Sequence, residues 1–197
     1  MAAKKNITLL GAGLVGSLLS IYLARRGYKV TVYERRPDMR QANISAGKSI
    51  NLALSDRGWR GLKGVGIEEE IRKVAIPMHG RVLHPVNGEL GYQRYGEEGQ
   101  SIYATSRGLL NCEMMTLAER SGVTIHFNQR CTGLDLNSAV ARFEHGQTKQ
   151  ETTVQSDLIF GADGAFSAAR LQMQLSTDRF EYQQHYLDHA YKELYIP

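Results

Sequence analysis

The fold of this chain is decided by one stretch near its N-terminus, Ile7-Thr8-Leu9-Leu10-Gly11-Ala12-Gly13-Leu14-Val15-Gly16. It predicts an apolar strand, a glycine-rich turn and the first turn of a helix. A second strand, rich in β-branched residues, follows at residues 29–33 and ends at Glu34. Glu34 comes eighteen residues after Gly16, near the spacing of about 20 found in dinucleotide-binding β-α-β units. The whole pattern is far more specific than its three glycines alone.

Each residue of this motif has its own physical reason. Gly11 permits the tight turn, Gly13 lets the backbone approach a pyrophosphate, and Gly16 lets the helix pack closely on the sheet. The first helical turn, with Val15 in it, points free N–H groups and a positive dipole end at the phosphates. Glu34 is placed to accept hydrogen bonds from ribose hydroxyls. The alternative is a β-α-β unit whose glycine turn binds nothing.

The length and composition of the sequence limit the kinds of protein that it can be. With 197 residues, 42% apolar and 22% charged, we expect one soluble domain, or one domain with an insertion. The net charge of +4 is spread along the sequence without a nucleic-acid-binding motif, so nucleic acid is not an expected partner. Two cysteines fit a reducing compartment and predict a cytoplasmic protein. The sequence shows no signal peptide and no apolar run that would span a membrane.

The remaining patterns predict an α/β fold, a Rossmann-like β-α-β unit that carries an inserted β-hairpin. Asn87-Gly88 is the hairpin signal, between strands at residues 81–84 and 89–92. Ser106 is placed to cap a helix at residues 107–120. Other helices are predicted at residues 14–26, 56–63 and 67–74, and other strands at 49–54, 101–105, 123–127, 131–136, 139–144, 149–154 and 157–160. The last strands form a β-meander that returns to a buried strand.

A second specific motif is Asp157-Leu158-Ile159-Phe160-Gly161-Ala162-Asp163-Gly164-Ala165-Phe166-Ser167-Ala168-Ala169-Arg170. An apolar strand ends at Gly161, and Asp163-Gly164 makes a sharp turn. Ser167 is placed to cap a helix that carries Arg170. Because the strand ends beside the first glycine turn, the Asp163 carboxylate is placed to meet a cofactor there. The alternative is a turn in which Asp163 only caps the helix.

Together the two motifs resemble the single-component flavoprotein aromatic hydroxylases, and the segments between them resemble the branch that hydroxylates kynurenine. The resemblance runs from about Lys4 to the last residue, and residues 48–58, 77–84, 106–107 and 179–194 carry it. It implies an FAD-binding β-α-β part at residues 1–75 and a substrate-domain hairpin at 76–106. The rest of the FAD-binding domain, with the meander, would follow at 107–175, and a substrate-domain sheet would begin at 176–197.

By this resemblance the protein uses FAD, NADPH and O2 to hydroxylate L-kynurenine, with the flavin supplying the chemistry. Arg107 would contact FAD phosphate or flavin, or be a solvated first-turn arginine. Arg36 would lie by the adenosine, or be a loop arginine. The residues that the resemblance and the motifs assign to FAD are Gly11, Gly13, Val15, Gly16, Glu34, Arg36, Ala53, Arg107, Cys131 and Asp163. For Cys131 the weightier alternative is a small buried hydrophobic side chain.

The same resemblance assigns the substrate carboxylate to Arg81 and Tyr95. A guanidinium holds a carboxylate in a two-pronged geometry, and a phenol hydroxyl adds a third contact. Counted outward from Asn87-Gly88, the two residues are expected on adjacent strands of the hairpin with their side chains on one face. The alternatives are a surface arginine and a core aromatic residue.

No residue is assigned a catalytic acid–base or metal-binding role. His185 and His189 have the i, i+4 spacing of two zinc ligands, but no third ligand accompanies them. The chain also departs from the family, whose third FAD motif is absent from the sequence. We therefore expect an incomplete N-terminal part that is inactive by itself. The open alternatives are a related hydroxylase with another aromatic acid as substrate, and a non-catalytic dinucleotide-binding module.

Overall fold

A computed structural model of the chain describes residues 5–41 and 51–190. The helices are α1 (Leu14–Arg25), α2 (Asp56–Lys63), α3 (Glu68–Arg72), α4 (Arg107–Arg120) and α5 (Ala168–Ser176). The strands are β1 (Asn6–Leu10), β2 (Lys29–Tyr33), β3 (Asn51–Leu54), β4 (Ile76–Met78), β5 (Gly80–Leu83), β6 (Gly91–Arg94), β7 (Ile102–Ser106), β8 (Thr124–His126), β9 (Gln129–Asp135), β10 (Val140–His145), β11 (Glu151–Gln155) and β12 (Leu158–Gly161). No helix in these ranges is long and apolar enough to cross a membrane.

A four-stranded parallel sheet lies at the centre, in the order β12-β1-β2-β8. Strands β1 and β2 are apolar because helices cover them, and Leu9 and Val32 are fully buried. Helix α1 packs against α4, and Ile21 and Met115 bring their side chains into the same core. The α/β fold expected from the first motif is therefore confirmed. The edge strand β12, expected to be buried, is half exposed at Leu158.

An antiparallel meander, β11-β10-β9, connects the end of β8 to β12. Its own small core holds Leu134, Ala141 and Phe143, together with Leu10 from β1 and Ala169 from α5. The meander and α5 therefore pack at the carboxyl end of the parallel sheet. In open α/β sheets that end is where ligands bind.

A second antiparallel sheet, β3-β7-β4, holds a strand that the sequence patterns did not predict, β4. The adjacent hairpin β5-β6 exists as expected, but its strands begin and end at different residues. Residues 84–90 form a long connection in place of a two-residue turn, and the Gly88 N–H donates to the Pro85 carbonyl over 3.0 Å. Pro85 has no N–H for the strand ladder, so the Asn87-Gly88 turn sits inside the connection.

The segment after α5 differs from the expected start of a sheet. Between residues 177 and 190 the chain forms no strand, and Tyr186 is 82% exposed. Residues 48–50 of the kynurenine-branch segments and residues 191–194 of the tail lie outside the described residues. The division of the chain into FAD-binding and substrate parts stays a prediction.

Helices α2 and α3 meet the second sheet around Trp59. Its indole ring is buried and contacts the Tyr103 ring edge-on, with centroids 5.0 Å apart. The Arg72 guanidinium lies 4.5 Å from the centroid of the Trp59 ring and donates to Glu68. This aromatic and charged cluster ties α2 and α3 to β7.

Candidate functional site

The glycine turn after β1 is shaped by close backbone contacts. Gly11 has a φ of +96°, which favours glycine, and a Cβ there would lie 2.7 Å from the Ala162 carbonyl oxygen. The Gly11 N–H donates to the Tyr33 carbonyl over 2.8 Å, and the Ala162 N–H donates to the Leu10 carbonyl over 2.8 Å. The turn is thereby held between the ends of β2 and β12.

The next two glycines of the motif have opposite surroundings. A Cβ on Gly16 would overlap the Gly11 carbonyl oxygen, so Gly16 is needed for close packing of α1. A Cβ on Gly13 would meet no atom within 4 Å. Gly13 is also the N-cap of α1 and brings no side-chain cap, so the first N–H groups of α1 are not satisfied by a capping side chain. This combination suits the approach of an anionic ligand.

Glu34 stands immediately after β2 and is 4% exposed. Its Oε2 accepts a 2.8 Å hydrogen bond from the Ala12 N–H of the glycine turn. Its Oε1 accepts from the Arg36 backbone N–H at 2.9 Å and from Arg36 Nε at 2.8 Å. Burial favours the neutral carboxyl, but the Arg36 hydrogen bonds and charge and the Ala12 N–H outweigh it. The pKa of Glu34 is therefore lowered from its ordinary value.

A cleft of about 770 Å³ opens at this end of the sheet. Its walls come from the glycine turn, the end of β2, strand β9, the β12–α5 turn and helix α5. Six residues that were assigned to FAD from the sequence line it together: Gly11, Gly13, Glu34, Arg36, Cys131 and Asp163. Residues more than 150 positions apart thus meet at one site, as the two motifs predicted.

Asp163 caps α5 as well as lining the cleft. Its Oδ2 accepts from the Ala168 N–H at 2.6 Å and from the Ala169 N–H at 3.2 Å, and its Oδ1 accepts from the Ser167 hydroxyl at 2.6 Å. Ser167 in turn accepts a hydrogen bond from the Arg170 N–H over 3.0 Å, which confirms Ser167 as a cap. The capping alternative for Asp163 is thus present in the structure, and its contact with a cofactor stays a prediction.

Cys131 lies on β9 with its side chain partly buried in the cleft wall. Burial raises the pKa of the thiol, and its S–H makes a weak contact with the Gly133 carbonyl over 3.7 Å. A neutral thiol of this kind packs as a small apolar group. This agrees with the alternative in which the Cys131 side chain is a small buried hydrophobic group.

Four residues assigned to FAD do not line this cleft. Val15 is 69% exposed on the first turn of α1, and Gly16 is buried against the turn. Ala53 and Arg107 are both exposed and belong to the second sheet and the start of α4. Strand pairing places Asn51 opposite Ser106, so Ala53 and Arg107 lie on neighbouring chain segments. Their role toward a cofactor stays a prediction.

Sequence reasoning missed other residues of the cleft. Arg35 and Arg130 add two cations to its lining, and Phe166 and Leu175 expose apolar side chains there by 81% and 74%. A signal existed for one wall, because Leu171 and Leu175 stand four residues apart on the helix that Ser167 caps. Arg130 carried no comparable signal, since β9 begins two residues before it was expected to.

The predicted substrate residues lie on the hairpin and away from this cleft. Arg81 pairs with Gln93 on β6, and Arg81 Nε donates to Gln93 Oε1 over 2.8 Å. Tyr95 comes two residues after Gln93, and its N–H donates to the His79 carbonyl over 3.0 Å. Side chains alternate along a strand, so Arg81 and Tyr95 fall on the same face as diagonal neighbours. Their contact with a substrate carboxylate stays a prediction.

Within residues 5–41 and 51–190, no group of three or more histidine, cysteine or acidic side chains is placed to hold a metal ion. His185 and His189 lie in the segment without helix or strand, so the helical spacing that two zinc ligands would use is not present there.

A model of the family described as FAD binding domain matches residues 4–195. Two curated relatives are named kynurenine 3-monooxygenase: that of Christiangramia forsetii is 48% identical over 198 residues, and that of Myxococcus xanthus is 50% identical over 198 residues. Both comparisons cover 100% of this chain, but 43% and 42% of the relatives. The chain thus spans less than half the length of these relatives.

Two solved structures share the fold at low sequence identity. The flavin-dependent monooxygenase PieE, solved in complex with FAD and substrate, matches with a TM-score of 0.74 at 18% identity over 88% of this chain and 32% of that chain. The p-nitrophenol 4-monooxygenase PnpA from Pseudomonas putida DLL-E4 matches with a TM-score of 0.71 at 19% identity over 88% of this chain and 44% of that chain. The flavoprotein-hydroxylase type of fold expected from the sequence is confirmed.

Proposed function

Since this chain belongs to the family of FAD-binding domains, we propose that its 770 Å³ cleft binds the ADP half of FAD. One observation carries the proposal. The buried carboxylate of Glu34 and the open, uncapped start of α1 face the same cleft. A carboxylate suits ribose hydroxyls, and the N–H groups of a helix start suit a pyrophosphate.

The residues present fit the cofactor. A Cβ on Gly13 would occupy open space that a phosphate can use. Arg35, Arg36 and Arg130 supply positive charge at the cleft, which favours a ligand with two phosphates. The half-buried Tyr33 ring, which stacks on Phe143 with centroids 4.1 Å apart, lines the cleft beside Glu34. Apolar side chains of α5 would exclude water on the opposite side.

For a longer protein of the relatives' length that contains this chain, we propose NADPH-dependent hydroxylation of L-kynurenine with O2. Support comes from relatives named kynurenine 3-monooxygenase that match the whole chain. When bound, FAD would accept electrons from NADPH and activate O2, and the protein would orient the aromatic ring and exclude water. A cytoplasmic location belongs to the same proposal, because both cysteines are free.

In this proposal the side chains of the chain bind and position, and none transfers a proton. Glu34 would hold the ribose, and the start of α1 the pyrophosphate. Arg81 and Tyr95 would hold the kynurenine carboxylate from the exposed face of the hairpin. Binding the substrate at its charged end would fix the orientation of its aromatic ring.

The proposal is tested by FAD titration of the chain, followed by flavin fluorescence, in the Glu34→Gln variant. Loss of the anionic acceptor should weaken FAD binding by about tenfold to a hundredfold, the range of one or two hydrogen bonds to a charged group. Glu70→Gln is the matched control, because Glu70 is an acid on α3 paired with Lys73. Equal FAD affinity in wild type and Glu34→Gln would reject the assigned site.

The substrate is tested separately in the longer protein. We expect NADPH oxidation that depends on kynurenine and yields a product heavier by one oxygen atom. If a different aromatic acid supports faster product formation than kynurenine, the proposed substrate is wrong, and the proposed FAD site is not affected.

A further inference from the structure

We propose that Arg36 is a positioning residue that locks the Glu34 carboxylate in one orientation, with Oε2 left to accept a hydroxyl of the nucleotide ribose. The inference rests on the proposed FAD site and deepens it. Glu34 and Arg36 are two positions apart in the sequence and form an ion pair.

Arg36 holds one carboxylate oxygen with two hydrogen bonds. Oε1 of Glu34 accepts from the Arg36 backbone N–H at 2.9 Å and from Arg36 Nε at 2.8 Å. A carboxylate oxygen offers about two acceptor positions, so Oε1 is fully used. Oε2 accepts a 2.8 Å hydrogen bond from the Ala12 N–H and a longer, weaker one of 3.4 Å from Arg36 Nη2, which a ligand hydroxyl can displace. Oε2 therefore keeps acceptor capacity for a ligand.

The hydrogen bonds by which Arg36 holds the Glu34 carboxylate, here called the Arg36 clamp, need an arginine side chain. The backbone N–H and Nε of Arg36 reach the same oxygen from one side, while Nη2 extends toward the second oxygen. A lysine ammonium is a single point charge and does not reproduce the planar fork. Nor does a neighbour replace it: Arg35 is exposed and Arg130 pairs with Glu144 over 3.2 Å. Among the ion pairs of the described residues, Glu34 appears with Arg36 alone.

Burial makes the Arg36 clamp necessary. Glu34 is 4% exposed, and a buried carboxyl without a cation takes up a proton at higher pH than an exposed one. A protonated Glu34 would offer a weaker acceptor to the ribose. Removing the Arg36 side chain should thus make nucleotide binding sensitive to mild acid, whereas the wild-type site, whose Glu34 pKa is lowered, stays insensitive there.

Other charged or titratable groups face this region and must be separated from Glu34. They are Tyr33 on β2, Arg35 after it, His126 on β8, which stacks on Tyr33, Arg130 and Cys131 on β9, and Asp163 across the cleft. A second substitution that removes the Glu34 charge isolates its contribution from that of all these groups.

The experiment measures FAD affinity of the chain between about pH 5.5 and pH 7.5 in wild type, Arg36→Met, Arg36→Lys and Arg35→Met. In Arg36→Met we expect FAD binding to be about tenfold weaker at pH 5.5 than at pH 7.5, because a carboxyl whose pKa is raised becomes protonated toward the acid end of this range. Wild type should change less than about twofold, since its carboxylate stays ionised. Arg36→Lys should fall between them.

Arg35→Met removes one positive charge from the same cleft without touching Glu34. It should shift FAD affinity by the same factor at every pH. The double variant Glu34→Gln/Arg36→Met should lose the pH dependence of Arg36→Met. Infrared detection of the protonated Glu34 carboxyl in ligand-free Arg36→Met gives a second measurement that needs no nucleotide.

The outcomes separate this inference from the proposed function. If wild type binds FAD and Arg36→Met shows the flat pH profile of wild type, Arg36 does not position Glu34 and the inference is wrong. If a pH dependence persists in the double variant, another group causes it and the inference is equally wrong. If wild type does not bind FAD, the proposed function itself fails, and the infrared measurement on ligand-free Arg36→Met still decides whether Arg36 keeps Glu34 ionised.

Discussion

At the scale of single residues, the glycines of the first motif divide between folding and binding. Gly16 has no room for a side chain, because a Cβ would overlap the Gly11 carbonyl oxygen. Gly13 has room within the chain, because a Cβ there meets nothing within 4 Å. The sequence pattern identifies both positions, but only the structure shows that the space at Gly16 is filled by the protein and that the space at Gly13 is open to a ligand.

We predict opposite results for two alanine substitutions. Gly16→Ala should lower the free energy of unfolding by about 1–3 kcal/mol, the cost of overpacking. Gly13→Ala should leave unfolding within about 0.5 kcal/mol of wild type while weakening FAD binding, because its methyl group enters the space proposed for the phosphates. Urea unfolding and FAD titration of both variants check this pair. Normal FAD affinity in Gly13→Ala would move the phosphates elsewhere.

Arg81 gives a second prediction at this scale. In the longer protein, Arg81→Ala should cost about 2–5 kcal/mol in kynurenine binding, as when an enclosed charge pair loses one partner. The KM for kynurenine should rise steeply, with a smaller rise in Tyr95→Phe and normal FAD content in both. Arg94→Ala is the control, because Arg94 pairs with Gly80 on the same hairpin and its side chain falls on the opposite face. An unchanged KM in Arg81→Ala would place the carboxylate elsewhere.

At the scale of elements, the sequence located most helices and strands because their patterns are local. Helix α4 has the expected bounds, and Ser106 caps it by accepting from the Leu109 N–H. The hairpin was placed less well. Asn87-Gly88 indicated where the chain reverses, but residues 84–90 form a longer connection, and the strand register depends on pairing between residues such as Arg81 and Gln93. Such pairing is set by contacts between separate strands, and no local sequence pattern predicts it.

Substitutions of Asp163 test whether the stability of helix α5 depends on a side chain that lines the cleft. Asp163→Ala removes acceptors for the Ser167 hydroxyl and for the Ala168 and Ala169 N–H groups. Losing this cap should cost about 0.5–2 kcal/mol of stability in urea unfolding. Asp163→Asn keeps a side-chain oxygen and should cost less. Equal stability of wild type and Asp163→Ala would show that the cap contributes nothing, and any loss of FAD binding in Asp163→Asn would then point to direct contact.

At the scale of the whole molecule, the site was more predictable than its surroundings. The two glycine motifs meet because β1 and β12 are neighbouring parallel strands, with Leu10 paired to Gly161. The carboxyl ends of neighbouring parallel strands lie at one edge of the sheet, so six of the ten assigned residues reach one cleft. The cations Arg35 and Arg130 and the apolar wall of α5 depend on how the meander folds over the sheet. The spacing of Leu171 and Leu175 indicates an apolar face on α5, but no local pattern shows that this face lies against the cleft.

We predict that the 197-residue chain does not catalyse NADPH oxidation in response to kynurenine. The chain spans 43% of the length of a relative that is 48% identical to it, and the proposed substrate residues stand exposed on an uncovered hairpin. An exposed face cannot exclude water from the reacting atoms. Anaerobic flavin reduction and chromatographic detection of 3-hydroxykynurenine are the measurements. Product formed in proportion to the NADPH consumed would contradict the prediction.

The burial of Trp59 has an optical consequence. It is the single tryptophan of the sequence, and its ring contacts both Tyr103 and the Arg72 guanidinium. Tryptophan emission from the native protein therefore comes from one indole in one buried environment, and unfolding of α2 and α3 should shift this emission to longer wavelength. Oxidised flavin absorbs where tryptophan emits. FAD binding should consequently be visible as energy transfer from Trp59 to the flavin, without an added fluorescent label.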